Sequence, residues 1–382
     1  MIDPQGEFAK DALGETATGQ FQLPVPELLS DTRRSVDVVR VRELVLDRWE
    51  LFEHILFESR FFEQLTIPKN ENRALAAGVV RDRLRDQRVE LADLHARDVF
   101  DAAWVALGQD QNQAIFYRAA GSRDRFSQAY QAADPDAFYE NYWRPMAALF
   151  DPTRTGARKV DSVLGRQFGS QGAPPLTIID LSGEDTEGLL WNETIQALVV
   201  DRVLHGISWI ARKAYEEGRQ LNTLVLIDEA HRLAPRETPD IEQIKVVRNH
   251  LIDAARTTRK YGVGWMFISQ TLSSLDSQIL QQLRIFFFGF GLSMGSEFEA
   301  LRQLVGGRGK ALDLYQLFRD PHSSFDIGGR QYSFMTVGPV SPLSFAGTPL
   351  FFNAFNTPEE FLAANGLNVT QRPEAVLGRS QP

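Results

Sequence analysis

Two short runs of consecutive apolar residues stand out in the second half of the chain. Residues 224–227 read LVLI, and residues 263–268 read VGWMFI. Unbroken runs of this length are typical of strands buried on both faces of a sheet. Residues 241–255, between the runs, carry apolar side chains three to four positions apart, which predicts an amphipathic helix. A short helical segment and a third apolar run at 284–292 follow, so the pattern predicts an α/β fold with a mostly parallel sheet.

Two carboxylates follow the first apolar run directly. Asp228 and Glu229 would lie at the carboxyl end of that strand, where open α/β sheets bind ligands. This is the layout of a Walker B element, in which Asp228 holds Mg²⁺, directly or through water, and Glu229 polarises a water that attacks the γ-phosphate of ATP. A buried strand that ends in a polar surface turn would leave the same local pattern.

The second apolar run is flanked by polar and basic residues. Gln270 follows it and can sense the γ-phosphate or position the attacking water, although a polar residue also simply closes many strands. Arg256 and Arg259 precede it at the end of the predicted helix. In a ring ATPase, an arginine from a neighbouring subunit stabilises the charge of the transition state, and Arg259 is the favoured candidate. Cations at this position also complement the helix dipole.

The first half of the chain has a different pattern. A strand at the start ends at Asp3, and from Asp37 to about residue 150 the spacing of apolar residues becomes helical. The predicted organisation is therefore a first part of the α/β core, an all-helical insertion domain, the rest of the core and a C-terminal tail, with bounds 1–36, 37–150, 151–340 and 341–382. The apolar stripe that begins the helical region is Trp49, Leu51, Phe52, Ile55, Leu56, Phe61 and Phe62.

Three further segments carry polar or basic residues with two possible meanings. Residues 151–175 predict a linker, in which Arg154, Arg158 and Lys159 would alternatively form a pore loop. The arginines between 73 and 88 predict a solvated helix face, with DNA contact as the less favoured interpretation. Asp180, at the end of an apolar stretch, would either support the acidic site or cap a turn.

Composition narrows the class of protein. The 382 residues carry a net charge of −9 at pH 7, which gives no support for a generally basic nucleic-acid binder but leaves room for a local basic pore. The chain has no cysteine, so disulfides, thiolate zinc sites and cysteine nucleophiles are excluded. It also lacks an apolar run near the ~18 residues of a membrane helix and an N-terminal signal pattern. We expect a cytoplasmic protein without an integral membrane segment.

Several ordered motifs together resemble one known family. They are IDPQGEF at 2–8, LTIIDLSG at 176–183, IDEAHRLAP at 227–235, ARTTRKYGVGWMFISQ at 255–270 and LDSQILQQLRIFFFGF at 275–290. In this order they resemble the HerA branch of the HerA/FtsK motor ATPases, over residues 1–10 and about 174–340. The resemblance implies a RecA-like P-loop NTPase core, a homohexameric ring, ATP and Mg²⁺ between subunits, and double-stranded DNA moving through the pore.

The resemblance also implies roles for individual residues. Asp228 would hold Mg²⁺ and Glu229 would activate water. Gln270 would sense phosphate, and Arg259 would act near or across the subunit interface. Arg256 and Asp3 would join the residues that contact the nucleotide.

One element of the family pattern is not found in this sequence. The Walker A motif GxxxxGK[ST] is absent and would be expected just upstream of Met1; the nearest imitation, GGRGKA at 306–311, lacks the hydroxyl residue and predicts a helix C-cap and turn. An ATP-driven DNA translocase or helicase is therefore the first hypothesis. The alternative is a non-catalytic or partner-dependent ring that assembles an effector, such as a nuclease or an NAD-consuming subunit, in a bacterial antiviral defence complex. A DNA-transfer ATPase of the conjugation type is a third possibility.

Overall fold

The computed structural model describes residues 1–6, 8, 36–169, 175–182, 191–306, 309–323, 330–341, 348–355, 360 and 363–364. These residues form two compact units. The described residues of the first unit are 1–6, 8, 36–169, 175–182, 191–229 and 238–268. The described residues of the second unit are 230–237 and those from 269 onward.

A five-stranded parallel sheet lies at the centre of the first unit. Its strands have the order β2-β5-β1-β6-β7, and every neighbouring pair is parallel. The fold is therefore α/β with a mostly parallel central sheet, as the apolar runs predict. A two-stranded parallel pair, β3 with β4, accompanies it. The strands are β1 (Ile2–Asp3), β2 (Val36–Arg40), β3 (Leu44–Val45), β4 (Arg158–Lys159), β5 (Leu176–Asp180), β6 (Thr223–Ile227) and β7 (Val263–Phe267).

The edge strand β2 corrects one prediction. The helical pattern was expected to begin at Asp37, but Val36–Arg40 pairs in parallel with β5 over its whole length. Three of its five residues are valines, and β-branched side chains fit the pleated surface of a sheet better than the crowded side of a helix. Val39 is fully buried there. The first helix begins only at Trp49.

Helices cover one face of the sheet and fill the region before β4. Val203 and Ile207 of the long helix α10 line a cavity with Ile2, Ile179 and Val225 of the strands, so α10 lies against this face. The helices of the first unit are α1 (Trp49–Glu58), α2 (Phe61–Gln64), α3 (Glu71–Asp86), α4 (Arg97–Gly108), α5 (Asp110–Phe116), α6 (Ala120–Ala132), α7 (Pro135–Phe138), α8 (Arg144–Ala147), α9 (Val160–Gly169), α10 (Glu193–Glu216) and α12 (Glu242–Thr257); the short α11 (Ala230–Leu233) belongs to the second unit.

Aromatic side chains form the core of the helical region. The rings of Phe61, Phe100 and Phe52 each contact Trp143, whose Nε1 donates a hydrogen bond to the carbonyl of Leu94. The predicted apolar stripe is buried at all of its positions except Trp49, which is half-buried. All six tryptophans of the chain fall in the first unit, at positions 49, 104, 143, 191, 209 and 265.

The predicted linker at 151–175 contains regular structure. Its described residues include β4 and the ten-residue helix α9, so the interpretation of this whole segment as a linker is wrong. Val160, Val163 and Leu164 are buried, and their spacing of one and three positions is that of a helical face. The Gly and Pro residues at 171–174 lie outside the described residues.

The second unit contains a three-stranded antiparallel sheet. Strands β8 (Phe286–Phe288), β9 (Tyr332–Val337) and β10 (Leu350–Ala354) have the order β10-β9-β8. Helices α13 (Ser277–Gln282), α14 (Gly295–Leu304) and α15 (Gly309–Tyr315) accompany them. One face of the sheet packs into a core that contains Phe288, Met335, Leu301 and Tyr315.

The third apolar run therefore does not extend the parallel sheet as predicted. Within it, Phe288 is buried while Phe287 is 52% exposed. An alternation of buried and exposed side chains is typical of antiparallel sheets that are covered on one face. The sequence does not distinguish the two kinds of strand here, because phenylalanine occupies both faces of the run. The other face carries Phe287, Phe334 and Phe352, and the ring of Phe352 contacts the other two.

Candidate functional site

Three neighbouring strands end in carboxylates at one edge of the parallel sheet. Asp180 is the last residue of β5, Asp3 is the last residue of β1, and Asp228 follows β6. The strands are parallel and adjacent, so their carboxyl ends meet, and Asp3 pairs directly with Asp180. The backbone N–H of Asp228 donates to the carbonyl of Ile2 at 3.1 Å. All three aspartates are buried.

Asp3 is held by the turn that follows it. Its two carboxylate oxygens accept hydrogen bonds from the backbone N–H groups of Gly6, at 2.8 Å, and Phe8, at 2.9 Å. Burial raises the pKa of Asp3, the nearby charge of Asp180 raises it further, and the backbone hydrogen bonds act in the opposite direction. Gly6 has a φ of +74°, and a Cβ there would approach Ser182 at 2.9 Å. The loop after β1 is therefore built around this carboxylate.

Asp180 caps the turn after its own strand. One of its oxygens accepts a hydrogen bond from the N–H of Ser182 at 3.0 Å. The carbonyl of the next residue, Leu181, accepts hydrogen bonds from Trp191 Nε1 and Gln196 Nε2, at 2.9 and 3.0 Å. Gln196 also donates to the carbonyl of Pro4 at 3.0 Å, so α10 ties the ends of β1 and β5 together.

The acidic pair lies where the sequence predicts, directly after β6. Asp228 and Glu229 are both buried, and Glu229 has a φ of +44°. A left-handed conformation is uncommon for a residue with a side chain, and such residues cluster at functional sites. Carboxylate oxygens are the protein ligands that Mg²⁺ prefers. The donor set at this strand end therefore fits a Mg²⁺ ion.

Gln270 belongs to the second unit, whereas Asp228 and Glu229 belong to the first. It lies three residues beyond the end of β7, in the segment that starts with Ser269. The Ser269 hydroxyl donates to the carbonyl of Thr271 at 2.7 Å, and its oxygen lies 3.2 Å from Nδ1 of His231. Its predicted role as a phosphate sensor stays a prediction.

Arg256 and Arg259 lie at the opposite edge of the sheet from the acidic pair. Arg256 is in the last turn of α12, and Arg259 is in the 3₁₀ turn Thr258–Tyr261, which ends at Gly262 just before β7 begins. A five-residue strand is about 17 Å long, so these arginines and the acidic pair of the same chain are not brought together. With Thr257 and Lys260 they line a depression of about 550 Å³.

Three of the other basic residues singled out from the sequence, Arg73, Arg154 and Arg158, have structural partners. Arg158 makes two hydrogen bonds, of 2.9 and 2.6 Å, to the carboxylate of Asp37 in β2. Arg154 donates to the carbonyl of Leu44, and burial lowers its pKa. Arg73 is buried and donates to the carbonyls of Phe57 and Ile67, so it is not part of a solvated face. Gly306, with a φ of +71°, forms the predicted turn after α14.

One cluster of ligand-type residues was not predicted. Asp201 and His205 on α10 meet His250 on α12, although the histidines are 45 positions apart in the chain. The sequence contains half of the signal, because Asp201 and His205 are four residues apart and share a face of the helix α10. The pairing of α10 with α12 supplies the rest.

Comparison with known proteins gives a limited result. No family model and no curated protein matches this chain. Among solved structures, the genome packaging NTPase B204 of Sulfolobus turreted icosahedral virus 2, in complex with ATP-gammaS, is similar with a TM-score of 0.32 and 11% identity over 51% of this chain and 72% of that chain. The plasmid coupling protein TrwB, in complex with the GTP analogue GDPNP, is similar with a TM-score of 0.34 and 13% identity over 94% of this chain and 78% of that chain.

At these TM-scores the function has to be inferred from the chain's own residues. None of the described helices is both long enough and apolar enough to cross a membrane.

Proposed function

We propose that this chain is a nucleoside triphosphatase of the HerA type, with ATP as its substrate and double-stranded DNA as its cargo. The observation that carries the proposal is the buried pair Asp228 and Glu229 at the carboxyl end of a central parallel strand. Burial of two adjacent carboxylates costs folding free energy, so their presence in a strand end favours a functional role over a simple surface turn.

Each of the two carboxylates has a separate task in this proposal. When bound, Mg²⁺ would neutralise charge on the phosphates and polarise the bond that breaks. The Asp228 carboxylate would hold that ion, directly or through water. The Glu229 carboxylate would accept a proton from the attacking water, and its left-handed backbone, with a φ of +44°, would set the direction in which the side chain leaves the strand.

The phosphate groups need a cradle that the sequence does not contain. Leu224 and Met266 are 55% and 38% exposed, and both project from the same face of β6 and β7, since Leu226 is the register partner of Met266. Parallel sheets normally have both faces covered. We propose that a phosphate-binding segment, from this polypeptide or from a partner subunit, covers this face beside β7.

The position of Arg259 supports an assembly in which neighbouring subunits share each site. Since Arg259 lies at the opposite sheet edge, it can stabilise transition-state charge only at the acidic pair of another copy. A ring of identical subunits provides this arrangement. We propose that the ring is a homohexamer. Gln270 would sense the γ-phosphate, and Arg256 would assist beside Arg259. Asp3 would support the acidic pair from the neighbouring strand.

The first experiment measures ATP turnover of the purified native protein with Mg²⁺ and duplex DNA. Glu229→Gln should lower turnover by about 100-fold or more while nucleotide binding is retained, because the amide cannot accept the proton of water. The matched control is Glu216→Gln, an exposed glutamate near the end of α10. Unchanged turnover in Glu229→Gln, or an equal loss in the control, would contradict the assignment.

A mixing experiment tests whether Arg259 acts between subunits. Glu229→Gln and Arg259→Ala should each be inactive alone. Mixed rings should regain activity, because an Arg259→Ala subunit keeps its acidic pair and receives Arg259 from a Glu229→Gln neighbour. Mixtures that stay inactive while co-assembling would place the arginine's role within its own subunit or outside catalysis.

The missing GxxxxGK[ST] motif favours one second candidate, a ring scaffold that holds an effector such as a nuclease or an NAD-consuming enzyme. In that case Glu229→Gln would leave the assembly and the effector's activity unchanged. Pull-down of the native complex, followed by an assay of the effector with wild-type and variant rings, separates the two functions.

A further inference from the structure

A cluster of ligand-type side chains lies on two packed helices, away from the strand ends. Asp201 and His205 are on α10 and His250 is on α12, the helix beside it. Each residue places one potential ligand atom within 4.8 Å of the other two. Within the part of the chain that the structure describes, this is the one group of three such residues that meets at this distance.

The cluster is buried on the side of Asp201 and His250 and open to solvent on the side of His205. Asp201 and His205 are separated by four positions, so their side chains lie one above the other on the same face of α10. Asp201 is buried and the His250 side chain is only 16% exposed. The His205 side chain is 51% exposed, and its Nδ1 lies 3.0 Å from the backbone carbonyl oxygen of Asp201. Solvent therefore reaches the cluster from the side of His205.

Both histidines direct a ring nitrogen at the same carboxylate. Nδ1 of His250 lies 3.1 Å from Oδ1 of Asp201, and Nδ1 of His205 lies 3.2 Å from Oδ2. The two imidazole rings also lie against each other, with centroids 4.2 Å apart. Two nitrogen donors and one carboxylate are therefore gathered at one point between α10 and α12.

We propose that Asp201, His205 and His250 form a binding site for a divalent transition-metal ion of the Zn²⁺ class. Two imidazoles and one carboxylate make a donor set that suits Zn²⁺ and its neighbours, whereas Mg²⁺ and Ca²⁺ prefer oxygen ligands alone. Three protein ligands leave a fourth position for water. Tetrahedral Zn²⁺ with bonds of about 2.1 Å spaces its ligands about 3.4 Å apart, so the cluster closes around the ion through rotation of the exposed His205.

Arg48 competes with metal binding at this site. Its guanidinium lies 3.1 Å from Oδ2 of Asp201 and competes with a metal ion for that oxygen. The ion consequently binds through Oδ1 or displaces Arg48, and its affinity is set by this competition. Bound metal links α10 to α12, so it stabilises the pair of helices against separation.

The experiment uses the tag-free native protein, freed of metal with a chelator and titrated with Zn²⁺ by calorimetry and with Co²⁺ by visible absorbance. We expect one ion per chain, a ligand-field spectrum with Co²⁺, and a Tm that rises with the Zn²⁺ concentration. His205→Ala should weaken Zn²⁺ binding at least tenfold. The matched control is His95→Ala, an exposed histidine outside the cluster, whose removal should change nothing.

Arg48→Met gives a result that a purely structural cluster does not predict. Removal of the competing cation should tighten Zn²⁺ binding by about tenfold, although it costs the ion pair with Asp201. Equal affinities for wild type and His205→Ala, a featureless Co²⁺ titration, or weaker binding in Arg48→Met would each overturn the proposal. Because the site is separate from the acidic pair, Glu229→Gln should bind Zn²⁺ as the wild type does, whatever its ATP turnover.

Discussion

The helical region at 49–150 and the carboxyl edge of the parallel sheet bury very different groups within the same unit. The helical region buries large rings, and Phe52, Phe100 and Trp143 are fully inaccessible. The sheet edge buries the carboxylates of Asp3 and Asp228 instead. Burial of rings lowers the free energy of the folded state, whereas burial of carboxylates raises it unless each is compensated. Burial therefore stabilises the first region, whereas the second carries an energetic cost that the proposed catalytic role would explain.

Charged residues follow the same division. In the helical region, arginines support packing, since Arg73 donates to two backbone carbonyls and Arg81 pairs with Glu53. At the sheet edge, the compensation for Asp3 comes from backbone N–H groups alone, and its pKa is still raised. Substitutions in the two regions should therefore separate stability from activity.

The largest expected effect is on the aromatic core. Trp143→Ala should lower the free energy of unfolding by about 4 kcal/mol, because it leaves a cavity among Phe52, Phe61 and Phe100. Urea denaturation followed by circular dichroism measures the change. Trp209→Ala, at a half-exposed position, is the control and should cost less than about 1 kcal/mol. A loss of similar size in both variants would contradict the role given to this core.

A smaller effect is expected at the ion pairs that Arg202 of α10 makes with Asp47, which precedes α1, and with Asp161 of α9. Arg202 makes bonds of 2.7 and 2.6 Å to Asp47 and one of 2.9 Å to Asp161. Arg202→Met should cost about 2 kcal/mol, since it removes the charge-assisted hydrogen bonds of a largely buried guanidinium, while the Asp47 and Asp161 side chains, 41% and 64% exposed, stay hydrated. Arg219→Met removes an exposed pair with Glu217 and should cost at most about 1 kcal/mol in the same urea assay. Equal costs would show that burial of Arg202 does not matter.

The smallest effect is a change of pH dependence at the sheet edge. The pKa of Asp3 is raised in the folded state, so the unfolded chain ionises first as the pH rises. The wild type therefore loses stability from about pH 4, the pKa of an unperturbed aspartate, up to the folded pKa. In Asp3→Asn this loss should vanish, after a constant offset for the lost acceptor of the Phe8 N–H.

The measurement for Asp3→Asn is the difference in unfolding free energy between variant and wild type from pH 4 to pH 8. It should move in favour of the variant as the pH rises. Asp86→Asn, at an exposed carboxylate on α3, is the control for the change from carboxylate to amide itself. A difference for Asp3→Asn that moves the other way would mean that the folded protein favours the ionised carboxylate.

Local sequence patterns predicted strand β6 and the acidic pair that follows it. The run at 224–227 and the two acids after it lie as expected, because a buried strand and the residues at its end need no distant partner to be recognised. Strand β2 was missed, since its identity depends on pairing with β5, about 140 residues later. The antiparallel pairing of β8 and the meeting of His205 with His250 were missed for the same reason.

The distribution of tryptophan has a practical consequence for spectroscopy. All six indoles belong to the first unit, so intrinsic fluorescence excited near the red edge of the absorption band reports on that unit alone. Far-ultraviolet dichroism reports on both units. Coincident unfolding curves from the two probes would mean that the units melt as one cooperative body, and separated curves would assign the first-melting unit directly. The molecule thus carries an internal label that distinguishes its two units without chemical modification.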